Sequence, residues 1–373
     1  MNNAQQISAN LKGEGNNNET GVQLDWLAFT FKIKDLRHCE RAGFLGFTHR
    51  SQPHFPKMPK IERQKIGDGQ SYEDYKNYTD FVMRQYFEEC LRIFVNKVLG
   101  LSLSAPLDKS FQFYENSFNL LSPNGETYCG KVGIGGQNDT IHISIDGKGC
   151  KHVLAQRSLF SLYHWLANVL QITKLSRVDL AFDDFHGLFD CEYALKASYE
   201  EAFKLSHRGN NPRVHDDRVW DWGENGSRVF LKEQISIGSR QSLVYWRIYN
   251  KALEQKLSDT SLIWYRSEVE LKKCTVDVLR NIEGAFAGLN DYARSIVASE
   301  PFDIKPRATK RAALDILSST RWLRRQWGRV ITDVVELCNG DTDKAIAMIA
   351  RGDPKLGFPS TYDRLVDEIL STY

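Results

Sequence analysis

Alternation of apolar and polar positions marks residues 22–33, VQLDWLAFTFKI, as a strand rich in aromatics. Over 75–100 the apolar positions recur at helical spacing and stop at Gly100, which predicts a helix. From 110 to 150 the period returns to two. FQFYENSFNLL, YCGKVGIGG and DTIHISID read as strands joined by SPNG and GGQND turns. A helix is expected over 156–173, a strand over 177–185 and a helix over 191–206. Residues 207–227 are polar, carry two tryptophans and predict a long loop; strands are expected at 229–236, 242–250 and 264–272. Beyond 275 no strand pattern recurs, and helices run around Gly/Pro breaks at 339–341 and 351–359. Residues 1–20 are Asn-rich with little to bury and predict a disordered tail, and 50–70 predicts a loop. The pattern predicts an α+β domain on a mainly antiparallel sheet over 21–274. A helical region over 275–373 would follow, for DNA binding or dimerisation.

Composition narrows the function classes. The chain has 373 residues, 42% hydrophobic and 26% charged, enough for a sizeable core. Net charge is only +2, so an anionic partner has to be read from clusters of charge rather than from the total. Seven scattered cysteines without CxxC spacing point to reduced thiols rather than a disulfide framework or a zinc cage. Neither a run of about 18 apolar residues nor a signal pattern is present, so a cytoplasmic protein away from membranes is expected. GKVGIGG sits in a hairpin and opens no helix, so it makes no Walker A loop, and the histidines fall in no metal-binding pattern.

Acidic residues on strands need a reason, because they are poor strand formers. In RVDLAFDD, Arg177, Asp179 and Asp183 share one face; in WYRSEVEL, Arg266, Glu268 and Glu270 do. Asp25 lies within the apolar strand LDWLAF. Two unit charges ~4 Å apart repel by about 4 kcal/mol at an effective dielectric near 20. Converging carboxylates therefore need a hard divalent cation, Mg or Mn, or a salt-bridge network with Arg177, Arg247, Lys251 and Arg266. In LVYWRIYNKALEQ, period two lines up Tyr245, Arg247, Tyr249 and Lys251.

LDWLAF, HISIDGKGC, RVDLAFDD, IGSRQS, RIYNKALEQ and YRSEVEL occur in that order. Together they resemble the signatures of the Rep_trans family of rolling-circle replication initiators. That family includes plasmid initiators, some conjugative relaxases and the replication proteins of filamentous phages, and the chain is most similar to the phage branch. The resemblance covers about 22–273 and implies an endonuclease-like catalytic fold without the paired-histidine metal motif, which this chain also lacks. It implies that Tyr249 is the nucleophile and that Asp179, Asp183, Glu268 and Glu270, with Asp25 of the first motif, lie at the metal site. It further implies that Arg247 and Lys251 contact the phosphate or the tyrosine.

The implied activity is metal-dependent nicking and closing of one strand at a replication origin through a 5′-phosphotyrosyl ester. Such an ester keeps the phosphodiester energy that hydrolysis would discard. Arg247 and Lys251 would favour the phenolate. Tyr245 on the same face is the alternative nucleophile. The implied partners are origin DNA with a hairpin or single-stranded nick site, a host helicase, single-strand binding protein and polymerase, and a second copy of the chain. Trp220 and Trp222 could stack on unpaired bases or anchor their loop, and Ser239 and Arg240 could hold a phosphate or only make a turn. Arg321, Arg325 and Arg329, with Arg324 beside them, make a basic helical stripe suited to duplex phosphates or to solvent. A conjugative relaxase, or a DNA-binding protein without chemistry, are the alternatives.

Overall fold

The computed structural model describes residues 21–41, 53–61, 72–107, 109–206, 209–224, 226–257, 262–302 and 327–350. The expected tail at 1–20 and the breaks at 351–359 lie outside the described residues. The chain divides into one compact unit ending at Phe302 and a second starting at Asp303.

In the first unit, β1 (Gln23–Lys32) leads through a 3-10 segment to α1 (Tyr72–Ile93). Glu73 and Asp74 open that helix and Arg92 lies in its last turn, each complementing the helix dipole. A wider helical turn continues to Leu99, and Gly100, at φ 70°, ends it as the spacing predicts. The strands β2 (Ser102–Leu103), β3 (Asn116–Leu121), β4 (Tyr128–Ile134) and β5 (Thr140–Ile145) follow.

The helix expected at 156–173 differs from the one that forms. Asp146 caps α2 (Gly147–Gln156), accepting the Gly149 N–H at 2.8 Å. Arg157 is extended, so α3 (Leu159–Tyr163) is a separate helix, capped by Ser158 and running into a wider turn that ends at Val169. Two glycines in its first turn hide α2 in the sequence. Gly147 is there because a Cβ would lie 2.7 Å from Asp25 Oδ1.

Next come β6 (Arg177–Asp184), α4 (Cys191–Tyr199), β7 (Val214–Asp216), β8 (Val219–Trp222), β9 (Arg228–Lys232), β10 (Gln234–Gly238) and β11 (Val244–Asn250). The unit closes with α5 (Lys251–Glu254), β12 (Tyr265–Lys272), α6 (Ile282–Ala287) and α7 (Asp291–Ile296). The long loop expected at 207–227 thus contains β7, β8 and the turn into β9. Both strands of the β8–β9 hairpin are mostly exposed, so no inward apolar set exists to give the period-two signal.

Among the described residues ten strands form one antiparallel sheet, ordered β2-β3-β4-β5-β1-β6-β12-β11-β10-β7, as the α+β expectation requires. One face of its second half is apolar: Val178, Leu180, Val269, Leu271, Trp246, Ile248, Ile235 and Ile237 are all buried. Residues after 274 complete this core. Tyr292 of α7 stacks on Phe203 at 4.2 Å, Phe286 of α6 meets Trp246 edge-on at 5.3 Å, and the Tyr292 hydroxyl donates to Ser267 at 3.2 Å. The boundary expected at 274 therefore falls inside the unit, because its own sheet would leave Trp246 and Phe203 uncovered.

In the second unit, residues 327–337 form helix α8 and Thr342–Ile349 form α9. Asn339 and Gly340 turn the chain between them in left-handed conformations, and Asp341 caps α9. No described helix is long and apolar enough to cross a membrane.

Candidate active site

The polar face of β1, β6, β12 and β11 carries the predicted chemistry. Register places Tyr245 opposite Glu270 and Glu270 opposite Asp179; Arg247 stands opposite Glu268; Tyr249 stands opposite Arg266, and Arg266 opposite Asp183. Strand pairing alone thus gathers two tyrosines, four acids and two arginines from segments far apart in the chain.

Each acid has a cationic partner. Arg177 forks onto Asp179 at 2.8 and 2.6 Å and reaches Glu270 Oε2 at 3.0 Å, while Lys272 meets Glu270 Oε1 at 2.9 Å. The same guanidinium lies 4.8 Å from the Trp26 ring. Arg247 donates to Glu268 Oε1. Arg266 forks onto Asp183 at 2.7 and 2.6 Å and reaches Asp25 at 3.3 Å, and Trp264 Nε1 also donates to Asp183 at 3.0 Å. The arginine network considered from sequence is present, with the pairings assigned. Its extra member, Trp264, stands in WYRSEVEL one position before Tyr265, and only the fold shows what it touches.

Five acids were expected at one metal site, and they fall into two groups. Glu268 and Glu270 lie close enough to Asp179 for their charges to act on it. Asp179 is pushed up to about 6, chiefly by burial, against the pull of Arg177 and with Glu268 and Glu270 adding to the rise. Asp183 and Asp25 are gathered instead around Arg266. Three hard carboxylates that repel one another are a suitable donor set for Mg or Mn. Among the described residues, however, no group of three is spaced as metal ligands, and Arg177, Arg247 and Lys272 supply the neutralising charge.

Tyr249 is buried, and its hydroxyl donates to Glu268 Oε2 at 3.1 Å. Burial, then Glu268, pushes its pKa well above the usual phenol range, although Arg266 and Arg247 pull it down. Arg247 favours the phenolate as expected of it, but burial and Glu268 favour the neutral phenol more strongly, and Glu268 is placed to accept its proton. Arg247 is spent on Glu268. Lys251 opens α5 rather than continuing the strand; its Nζ stands 5.4 Å from the centre of the Tyr249 ring and pairs with Glu254 at 2.5 Å. Tyr245 is also buried, with the Arg240 guanidinium 6.0 Å from its ring centre.

The remaining predicted contacts are dispersed. The Ser239 hydroxyl accepts the Gln241 N–H at 3.2 Å, which serves the turn before β11, while Arg240 is exposed. Trp220 and Trp222 are both exposed on β8, Trp220 against Phe230 and Arg228, and Trp222 at 75% exposure. Arg329 is exposed on α8; Arg321, Arg324 and Arg325 lie outside the described residues.

Residues 173–349 match the family model Rep_trans, replication initiation factor. The matched stretch includes β6, β11 and β12, and so every member of the cluster except Asp25 and Trp26. Among solved structures, the chain is similar to the rolling circle replication initiator protein from Geobacillus stearothermophilus. The two share 16% identity with a TM-score of 0.43, over 72% of this chain and 86% of that one. No curated protein matches the chain.

Proposed function

We propose, from the Rep_trans match over 173–349 and the cluster it contains, that this protein initiates rolling-circle DNA replication. It nicks and recloses one strand at an origin, in the manner of the filamentous-phage members that its motifs resemble. The observation that carries this proposal is the Tyr249 hydroxyl donating to Glu268 at 3.1 Å among paired arginines on a rigid sheet.

In the nicking step the Tyr249 oxygen attacks the scissile phosphorus. The phenol proton passes to Glu268 Oε2, the P–O3′ bond breaks, and the 3′ oxygen leaves as a hydroxyl, the proton it takes from water being returned to the solvent by Glu268. Arg247, bonded to the other Glu268 oxygen, keeps that carboxylate oriented and offers positive charge to the phosphate. Closing reverses each transfer, so no bond energy is lost to hydrolysis. On giving up their pairs with Arg177 and Lys272, Asp179 and Glu270, with Glu268 beside them, would hold Mg or Mn, which would supply Lewis-acid polarisation of the phosphoryl oxygen. Asp183 and Asp25 act through Arg266, which holds the strand opposite Tyr249. The freed 3′-hydroxyl primes a host polymerase, with a helicase unwinding the duplex and a single-strand binding protein coating the displaced strand.

The test is incubation of the protein with supercoiled origin DNA, followed by peptide mapping of the protein–DNA adduct. An adduct on Tyr249 that requires Mg or Mn is expected. An adduct on Tyr245 would move the nucleophile, and undiminished cleavage in excess EDTA would remove the metal from the mechanism.

A further inference from the structure

An exposed aromatic patch borders the cluster, and the chemistry above does not use it. It is built by Asp184, whose buried carboxylate accepts the backbone N–H groups of His186 at 2.9 Å, Leu188 at 2.5 Å and Phe189 at 3.2 Å. Three acceptances by one side chain tie the end of β6 into a tight turn, and Gly187 supplies the φ of 78° that the turn needs. The turn holds Phe185 outward, stacked on Trp264 with ring centres 5.5 Å apart and planes at 28°. Phe185, Leu188 and Ile263 are all exposed.

Trp264 is fixed from two directions. Its Nε1 donates to Asp183 at 3.0 Å, and its carbonyl accepts the Lys251 N–H at 2.7 Å. Asp183 is held in turn by both arms of Arg266. A ring pair locked in this way loses little freedom when a ligand lands on it. Its position relative to the nucleophile follows from register. Tyr249 stands opposite Arg266, and Trp264 comes two residues before Arg266, just ahead of β12, ~7 Å from it at extended spacing.

We propose that Phe185 and Trp264 form a stacking site for one unpaired nucleobase beside the scissile phosphate. The proposal rests on the nicking function above. With the phosphate at the Tyr249 hydroxyl, beside Arg247 and Arg266, the base of a neighbouring nucleotide meets this ring pair. Complementarity is of two kinds: cations where the strand carries its phosphate, and flat apolar rings where it carries a base. Ring-face contact accepts any base, so this site holds the strand at the nick without specifying its sequence.

The experiment uses the full chain and a homothymidine oligonucleotide of about 15 nucleotides, a length suited to single-strand grooves. One thymine is replaced by photoreactive 5-iodouracil. Cross-linked peptides containing Phe185 or Trp264 are expected. By fluorescence anisotropy, Phe185→Leu, which keeps apolar volume and removes the ring, should weaken binding about tenfold, within the range for one lost base stack. Phe185→Tyr, which restores the ring, should restore the affinity. Cross-links only elsewhere, with Phe185→Leu binding as tightly as the native chain, would overturn the stacking site and leave the nicking proposal intact. Failure of the native chain to bind the oligonucleotide at all would overturn the stacking site, since ring-face contact accepts any base. Failure to nick supercoiled origin DNA is what would overturn the nicking proposal.

Discussion

At the scale of single residues, Tyr249 and Glu268 form a proton-sharing pair that a substitution can separate cleanly. Tyr249→Phe removes one hydroxyl and little volume, leaving Glu268 bonded to Arg247. A hydrogen bond to a charged group contributes about 1.5–3 kcal/mol, so the variant should fold with a modestly lowered melting temperature. Its nicking should fall below detection on a denaturing gel, because no other hydroxyl bonds to Glu268 in the cluster. Tyr245→Phe should retain substantial nicking in the same assay. Asp179 predicts a pH effect of definite sign. Its folded pKa of about 6 lies above the ordinary 3.8, so its contribution to stability is complete below about pH 4 and is lost as pH rises through about 6. Asp179→Asn does not titrate there. Denaturant melts of both proteins from about pH 4 to pH 7 should show the native chain losing stability relative to the variant, by on the order of 3 kcal/mol at most. A constant difference across that range would mean that Asp179 is not raised.

At the scale of elements, the β8–β9 hairpin stands apart from the sheet with its tryptophans exposed. Trp222 packs least, at 75% exposure, so Trp222→Ala should leave thermal unfolding nearly unchanged. If the hairpin stacks on unpaired bases, the same variant should weaken single-stranded oligonucleotide binding by about 1–3 kcal/mol in an anisotropy titration. Unchanged affinity would leave Trp222 without a nucleic-acid role. The α2 helix contrasts with this hairpin. It packs closely on β1 because Gly147 has no side chain, and Gly147→Ala would force a Cβ to 2.7 Å from Asp25 Oδ1. That substitution should lower the melting temperature by disturbing the Asp25–Arg266 contact as well as the packing.

At the scale of the whole molecule, the chain divides into a compact unit ending at Phe302 and a second unit that follows it. A chain cut after Phe302 should stay folded, whereas a cut after Cys274 removes Phe286 and Tyr292 from the core beside Trp246 and Phe203. Circular dichroism melts of the two truncations check this; a cooperative melt of the shorter one would place the core boundary where the strand pattern ends. The basic stripe predicts a separate effect. Replacing Arg321, Arg325 and Arg329 with Ala should flatten the salt dependence of duplex binding by up to about one ion per lost phosphate contact. An unchanged slope would make the stripe a solvated face.

The strands of the site, their polar faces and the acids and tyrosines upon them were legible in the sequence, because alternation with a period of two is local. It needs only RVDLAFDD, LVYWRIYN and WYRSEVEL to put Asp179, Asp183, Tyr245, Tyr249, Glu268 and Glu270 on named faces. Which arginine meets which acid was not legible. Arg266 and Asp183 are 83 residues apart, and their pairing follows from the order β6-β12-β11, which only the packed sheet specifies. The grouping of Asp25 with Arg266 depends on an irregularity in β1 between Leu24 and Trp26, which no alternation reveals. The balance of effects on the Tyr249 hydroxyl was not legible for the same kind of reason. Nearby arginines and a lysine in sequence suggest a phenolate, but burial and the neighbouring Glu268 outweigh them, and both arise only when distant strands close over the ring. Local pattern determined which groups face the site; long-range packing decided their partners, their charge and which of them are free to act.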